Sequence, residues 1–87
     1  DLSLLVEVSV SAADLAKVIA EGAGDLLEQV SLVDDYRGGN LPEGQKSLTF
    51  ALKFRAADRT LTQAEATTAR DGAVALANQR FGVTQRV

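Results

Sequence analysis

From Leu2 to Val10 the chain alternates, with Leu2, Leu4, Val6, Val8 and Val10 on one side and Ser3, Leu5, Glu7 and Ser9 on the other. A period of two is that of a half-buried strand, and it places a first strand over Asp1–Val10. The period then changes. In SAADLAKVIAEG, Leu15, Val18 and Ile19 share one helical face, while Ser11 and Asp14 stand at cap and third-position spacing. A helix is therefore predicted over Ala12–Glu21, with Gly22 or Gly24 as its stop. Alternation returns from Leu26 to Tyr36, where Val30 and Leu32 oppose Gln29 and Ser31. It returns again from Ser47 to Arg55, with Leu48, Phe50, Leu52 and Phe54 inward and Ser47, Thr49, Ala51 and Lys53 outward. The intervening RGGNLPEGQ is a loop longer than a tight hairpin, in which Pro42 and Gly44 suit the second and fourth places of a turn.

After AADRTL, Thr62 and Glu65 form a capping box, and good helix formers run through QAEATTARDGAVALANQRF. Ala66, Ala69, Ala73, Leu76, Ala77 and Phe81 make a lean apolar face that suggests close approach to the sheet. Gly72 costs this helix about 1 kcal/mol relative to alanine, and Gly82 is the stop. The final VTQRV serves as a short closing strand. Arg59, Thr60, Leu61 and Thr62 read as structural, since Thr62 caps the helix and Leu61 can staple against its first turn. The order strand, helix, strand, strand, helix, strand predicts an α+β fold of the ferredoxin-like βαββαβ kind. Such a fold is a four-stranded antiparallel sheet with both helices on one face and the other face open.

Composition narrows what such a fold can do here. The 87 residues make one domain, residues 1–87, and no apolar run approaches a membrane span. The chain opens at Asp1 already in a strand pattern and without methionine, so it is expected to be a fragment of a longer cytoplasmic polypeptide. It contains no cysteine and no histidine, which removes disulfides, thiol chemistry, imidazole bases and the commonest transition-metal ligands. A net charge of −3 argues against broad, phosphate-driven nucleic-acid binding. Asp34 and Asp35 are strand neighbours and face opposite sides, which is a poor arrangement for an acid–base pair or a metal clamp. The glycines of RGGN lack a following Gly-Lys-Ser/Thr at the spacing of a phosphate loop.

VDDYRGGNLPEGQKSLTFALKF, followed by ADRTLTQAE, resembles the C-terminal anticodon-binding domain of the phenylalanyl-tRNA synthetase beta subunit. That family's pattern runs F-D-x-Y-x-G, then G-x-K-S-L, then R-T-L-T. The opening DLSLLV also matches, so the resemblance covers essentially the whole chain. Val33 replaces the usual phenylalanine, and Gln45 stands where a second lysine is common. The resemblance implies a ferredoxin-fold module that binds the anticodon stem-loop of phenylalanine tRNA. It also implies the rest of the beta subunit and the alpha subunit as partners in a heterotetramer. No cofactor is implied for the domain itself; ATP and magnesium belong to the parent enzyme, whose phenylalanine activation lies on the alpha subunit. Carried over residue by residue, the guanine-reading positions are Asp34, Tyr36 and Ser47.

Those residue types suit the task. Loop bases are held by aromatic stacking and by hydrogen bonds along their exposed edges. Phe50, Phe54 and Phe81 sit on core-facing stripes, which leaves Tyr36 to stack. Asp34 can accept from the adjacent N–H donors of a guanine edge, a pair that adenine lacks. Ser47 can donate or accept. Arg37 and Lys46, with Lys53 or Arg55, are expected at the RNA backbone. Strict alternation sets Asp34 and Tyr36 on the side of Val30 and Leu32, opposite Ser47. The three converge only if the second strand bulges or ends early, or if the site lies on the sheet edge and loop. A ferredoxin-like protein-interaction or small-ligand regulatory module is the alternative. An RNA-recognition motif is disfavoured by the missing aromatics of KSLTFALK, and an acylphosphatase-like hydrolase by the lack of arginine in residues 1–24.

Overall fold

A computed structural model describes residues 2–56 and 60–86. The elements run β1 (Leu2–Glu7), α1 (Ala12–Ala23), a 3-10 turn at Gly24–Leu26, β2 (Leu27–Tyr36), β3 (Gln45–Phe54), α2 (Gln63–Phe81) and β4 (Thr84–Arg86). The strand order is β2-β3-β1-β4, and every neighbouring pair is antiparallel. This is the expected ferredoxin-like α+β arrangement. The expected contributions of Asp1, Arg59 and Val87 lie outside the described residues.

Local chemistry sets the helix ends. Asp14 N–H donates to Ser11 Oγ at 3.0 Å, starting α1 where the sequence predicts. The helix runs two residues past Glu21 to Ala23, and Gly24 ends it with φ +79°. At α2 the capping box is complete: Glu65 N–H donates to Thr62 Oγ1 at 3.1 Å, and Thr62 N–H donates to Glu65 Oε1 at 3.2 Å. Gly82 closes α2 in the left-handed region, its N–H reaching the Asn78 carbonyl at 2.8 Å.

One core lies between the sheet and the helices. Leu2, Leu4, Val6, Leu48 and Phe50 meet Leu15, Val18, Ile19 and Ala23 of α1 and Ala69, Ala73 and Ala77 of α2. Val83, just ahead of β4, joins them although the sequence pattern does not single it out.

Three expectations need correction. β1 stops at Glu7, because the chain turns there through a Val10 N–H to Glu7 carbonyl bond of 3.0 Å, leaving Val8 45% exposed. Leu32, expected inward, is also 45% exposed. The β2–β3 hairpin outruns its cover: ten-residue strands span about 33 Å and α1 only about 18 Å. The loop turn is displaced by one residue. Gln45 N–H bonds the Pro42 carbonyl at 3.1 Å, so Pro42 takes the first place and Gly44, at φ +79°, the third, which demands a positive φ.

The alanine-rich face of α2 serves a close approach, and its tightest point is against α1. A Cβ on Gly72 would sit 2.7 Å from the Gly22 carbonyl oxygen, and one on Gly22 would sit 2.7 Å from the Gly72 carbonyl oxygen. The helix-propensity cost of Gly72 is thus tied to backbone contact between helices. Gly72→Ala is expected to lower stability by roughly 1–2 kcal/mol despite its better propensity, because the obstacle is backbone. Asp71→Ala, on the exposed side of the same helix, should change it by less than about 0.5 kcal/mol. Urea denaturation of both variants checks this.

Candidate nucleic-acid interface

The register of β2 on β3 decides which side chains share a face. Leu32 lies opposite Phe50, but Asp34 lies opposite Thr49 and Tyr36 opposite Ser47, so Val33 is an inserted residue. Because strand side chains alternate with period two, one extra residue exchanges the faces of everything beyond it. Val30 and Leu32 keep the helix side. Asp34 and Tyr36 turn to the open side with Ser47 and Thr49. A second irregularity, between Leu27 and Gln29, does the same at the other end of β2.

Two rows of side chains result. The first runs from Asp34 to Thr49 to Ser3, with the Ser3 and Thr49 hydroxyls bonded at 2.8 Å. The second runs from Tyr36 to Ser47 to Leu5 to Thr84. Ser3 and Thr49 were readable only as outward positions; their mutual bond depends on the β1–β3 register, which the sequence leaves open.

The two adjacent carboxylates have opposite circumstances. Among the described residues Asp34 has no hydrogen-bond or ion-pair partner, and it is exposed. Asp35 faces the other side, opposite Leu48, and accepts two bonds from Arg37: Nε to Oδ1 at 3.1 Å and Nη2 to Oδ2 at 3.2 Å. Arg37 holds the Asp35 carboxyl below its ordinary range, with a smaller contribution from the Lys46 charge. The same pairing raises the Arg37 guanidinium.

Arg37 and Lys46 are therefore gathered around Asp35 and away from Asp34 and Tyr36. Lys46 lies opposite Val6 and is only 4% exposed. Lys53 and Arg55 are tied to Glu28 at 3.4 and 3.0 Å, and they lower its carboxyl. Ser47 sits on the expected face but is 2% exposed, so it offers the edge of a hydroxyl that has no hydrogen-bond partner among the described residues.

Tyr36 is 42% exposed, and its hydroxyl donates to Asn40 Oδ1 at 2.9 Å. The ring lies against Gly38, so close that any Cβ there would overlap the phenol. Neither Gly38 nor Asn40 stands out in the sequence as a site residue, although the Tyr-x-Gly spacing contains the signal.

A mostly apolar groove lined by Gly22, Ala23, Leu26, Ala64, Ala69 and Gly72, together with Glu65 and Thr68, lies where the end of α1 meets the start of α2. It is on the helix side of the sheet and carries none of the open-face polar groups. Among the described residues no cluster of His, Cys, Asp or Glu could hold a metal, and no helix is long and apolar enough to cross a membrane.

The Asp35–Arg37 pair gives a pH signature. Its folded carboxyl value lies below the unfolded one, so its stabilising contribution is present above the unfolded value and is lost as pH falls through the folded one. Arg37→Ala is expected to move the Asp35 carboxyl back up toward the ordinary aspartate range, read by its carboxyl carbon shift in an NMR titration between pH 2 and 7.

Comparison with known proteins gives the chain its relatives. The chain is 56% identical to a phenylalanine–tRNA ligase beta subunit of Leifsonia xyli subsp. xyli, over 99% of this chain and 10% of that protein. It is 54% identical to the beta subunit of Streptomyces avermitilis and 52% to that of Mycolicibacterium paratuberculosis, with the same coverage. The chain thus spans about one tenth of the length of these curated relatives. The profile of the ferredoxin-fold anticodon binding domain matches residues 1–86, and with these relatives it shows that the chain belongs to that family.

Proposed function

We propose that this chain is the anticodon-binding module of a phenylalanine–tRNA ligase beta subunit, and that it reads the first anticodon guanine with Asp34, Tyr36 and Ser47. The observation that carries this reading is the inserted Val33, which brings Asp34 and Tyr36 to the face of Ser47 and leaves the Asp34 carboxylate without a partner among the described residues. Tyr36 supplies the stacking surface, a contribution of roughly 1–3 kcal/mol that any base can draw on. Asp34 supplies the choice. An acceptor-only carboxylate satisfies the paired donors of a guanine edge and is left unpaired against adenine. Ser47 adds one hydroxyl contact from the floor of the site.

Arg37 meets a phosphate rather than a base. β2 is an edge strand, so RNA held on the open face beside Asp34 and Tyr36 lies next to that edge. Arg37 then exchanges Asp35 for a backbone oxygen. Lys46, almost fully covered, acts through its field and not by a direct contact.

The chemistry of aminoacylation lies elsewhere in the parent enzyme, in a cytoplasmic heterotetramer whose alpha subunit activates phenylalanine with ATP and magnesium. This module's part is to hold the anticodon arm.

NMR titration of the 87-residue chain at low salt, with a phenylalanine-tRNA anticodon stem-loop and with a loop whose first anticodon guanine is adenine, tests the reading. Shifts are expected at Asp34, Tyr36 and Ser47, weaker with the adenine loop. Tyr36→Ala should cost roughly 1–3 kcal/mol with either loop. Asp34→Asn should remove most of the guanine preference, because asparagine presents one acceptor and a donor where two donors approach. A response indifferent to the loop sequence, or a preference that survives Asp34→Asn, would overturn it and favour the protein-interaction module.

A further inference from the structure

Tyr36 does not project freely from the end of β2. Its hydroxyl donates to Asn40 Oδ1 at 2.9 Å, and a Cβ on Gly38 would overlap the hydroxyl oxygen and Cζ of the same ring. The loop contributes two different things: a hydrogen-bond acceptor for the phenol and a backbone without a side chain beneath it. Gly38 is not required for its dihedral angles, since its φ is not positive; among the glycines only Gly24, Gly44 and Gly82 have positive φ. What it supplies is space. The loop is itself held, by Leu41 N–H to the Gly38 carbonyl at 3.2 Å and Gln45 N–H to the Pro42 carbonyl at 3.1 Å.

From this geometry we infer that Gly38 and Asn40 are positioning residues for Tyr36, fixing the ring as a ready-made stacking surface before RNA arrives. This deepens the proposed reading and rests on it. An aromatic ring on the surface ordinarily loses rotamer freedom when a base stacks on it, and a ring already pinned on the loop avoids that loss. Gly38→Ala displaces the ring because a methyl group and the phenol cannot share one space. Asn40→Ala releases the hydroxyl but leaves the room intact. The two changes therefore disturb the same ring by unrelated routes.

The chain makes the test simple, since Tyr36 is its one tyrosine and it has no tryptophan, so tyrosine emission reports this ring alone. Acrylamide quenching and the contact between Tyr36 ring protons and the Gly38 α-protons are measured first, without RNA, on the 87-residue chain. Far-UV circular dichroism confirms that each variant is folded. Gly38→Ala and Asn40→Ala are expected to lose the contact and raise quenching about 2-fold, and Asn40→Asp, which keeps an acceptor, to restore both. Anticodon stem-loop affinity should fall by about 3- to 10-fold in the two alanine variants, the size of one side chain's ordering cost.

The inference is overturned if the ring stays fixed in both alanine variants. It is also overturned if the ring is freed yet affinity is unchanged while Tyr36→Ala weakens binding. If Tyr36→Ala itself leaves affinity unchanged, the stacking reading fails first and the positioning role falls with it.

Discussion

In a strand, successive side chains point to opposite faces, and a ten-residue strand such as β2 cannot vary that rule except by breaking its pairing. β2 breaks it at Val33, so that Leu32 still pairs with Phe50 while Asp34 already pairs with Thr49. Without the extra residue, Asp34 and Tyr36 would point to the helix side, and Ser47 would face the open side alone. The polar site therefore depends on one unpaired residue in an edge strand. The edge is where such an insertion is tolerated, because only one neighbouring strand must accommodate it. Val33 itself is 54% exposed, so its own packing contributes little to holding the irregularity. The flanking pairs on β3 do that.

The insertion also sorts charge. Asp34 and Asp35 are adjacent in sequence, but the sheet separates them, and the cations collect on one side only. Arg37 and Lys46 act on Asp35, while Asp34 keeps its acceptor capacity open. An aspartate already satisfied by a neighbouring guanidinium has little left to offer a base edge. The Asp35–Arg37 pair lies on the opposite side of the sheet from Asp34, so the arginine leaves that carboxylate unpaired. Glu28 pairs with Lys53 and Arg55 at the far end of the hairpin.

The elements legible in the sequence are those whose signals are local. The extent of α2 follows from a capping box at one end and a glycine at the other, and both chemistries are present as expected. The start of α1 is equally local. Long-range features are less legible. Leu32 continues a correct alternation into a region that α1 does not cover, which depends on the relative lengths of elements, and Val8 falls in the turn that ends β1 at Glu7. The need for a bulge is visible as a conflict of parity between Tyr36 and Ser47, but its position is not, because an extra residue anywhere between Val30 and Asp34 would bring Asp34 and Tyr36 to the side of Ser47. The cost assigned to Gly72 was right for an isolated helix and incomplete for one crossing Gly22. Gly38 is legible only as the glycine of the Tyr-x-Gly pattern, because its closeness to the Tyr36 ring depends on a loop conformation that no local signal sets.

These features together explain how a domain with net charge −3 can belong to an anticodon-binding family. Binding driven by phosphate neutralisation draws on free cations, and here Arg37, Lys53 and Arg55 are paired with carboxylates and Lys46 is covered. What the open face offers instead is a carboxylate, hydroxyls and a pinned aromatic ring, groups suited to base edges and base planes. Such a surface discriminates more than it attracts. On the proposed reading it suits a module spanning about one tenth of a larger protein, with the bulk of tRNA affinity coming from elsewhere and preference for one base as the local task.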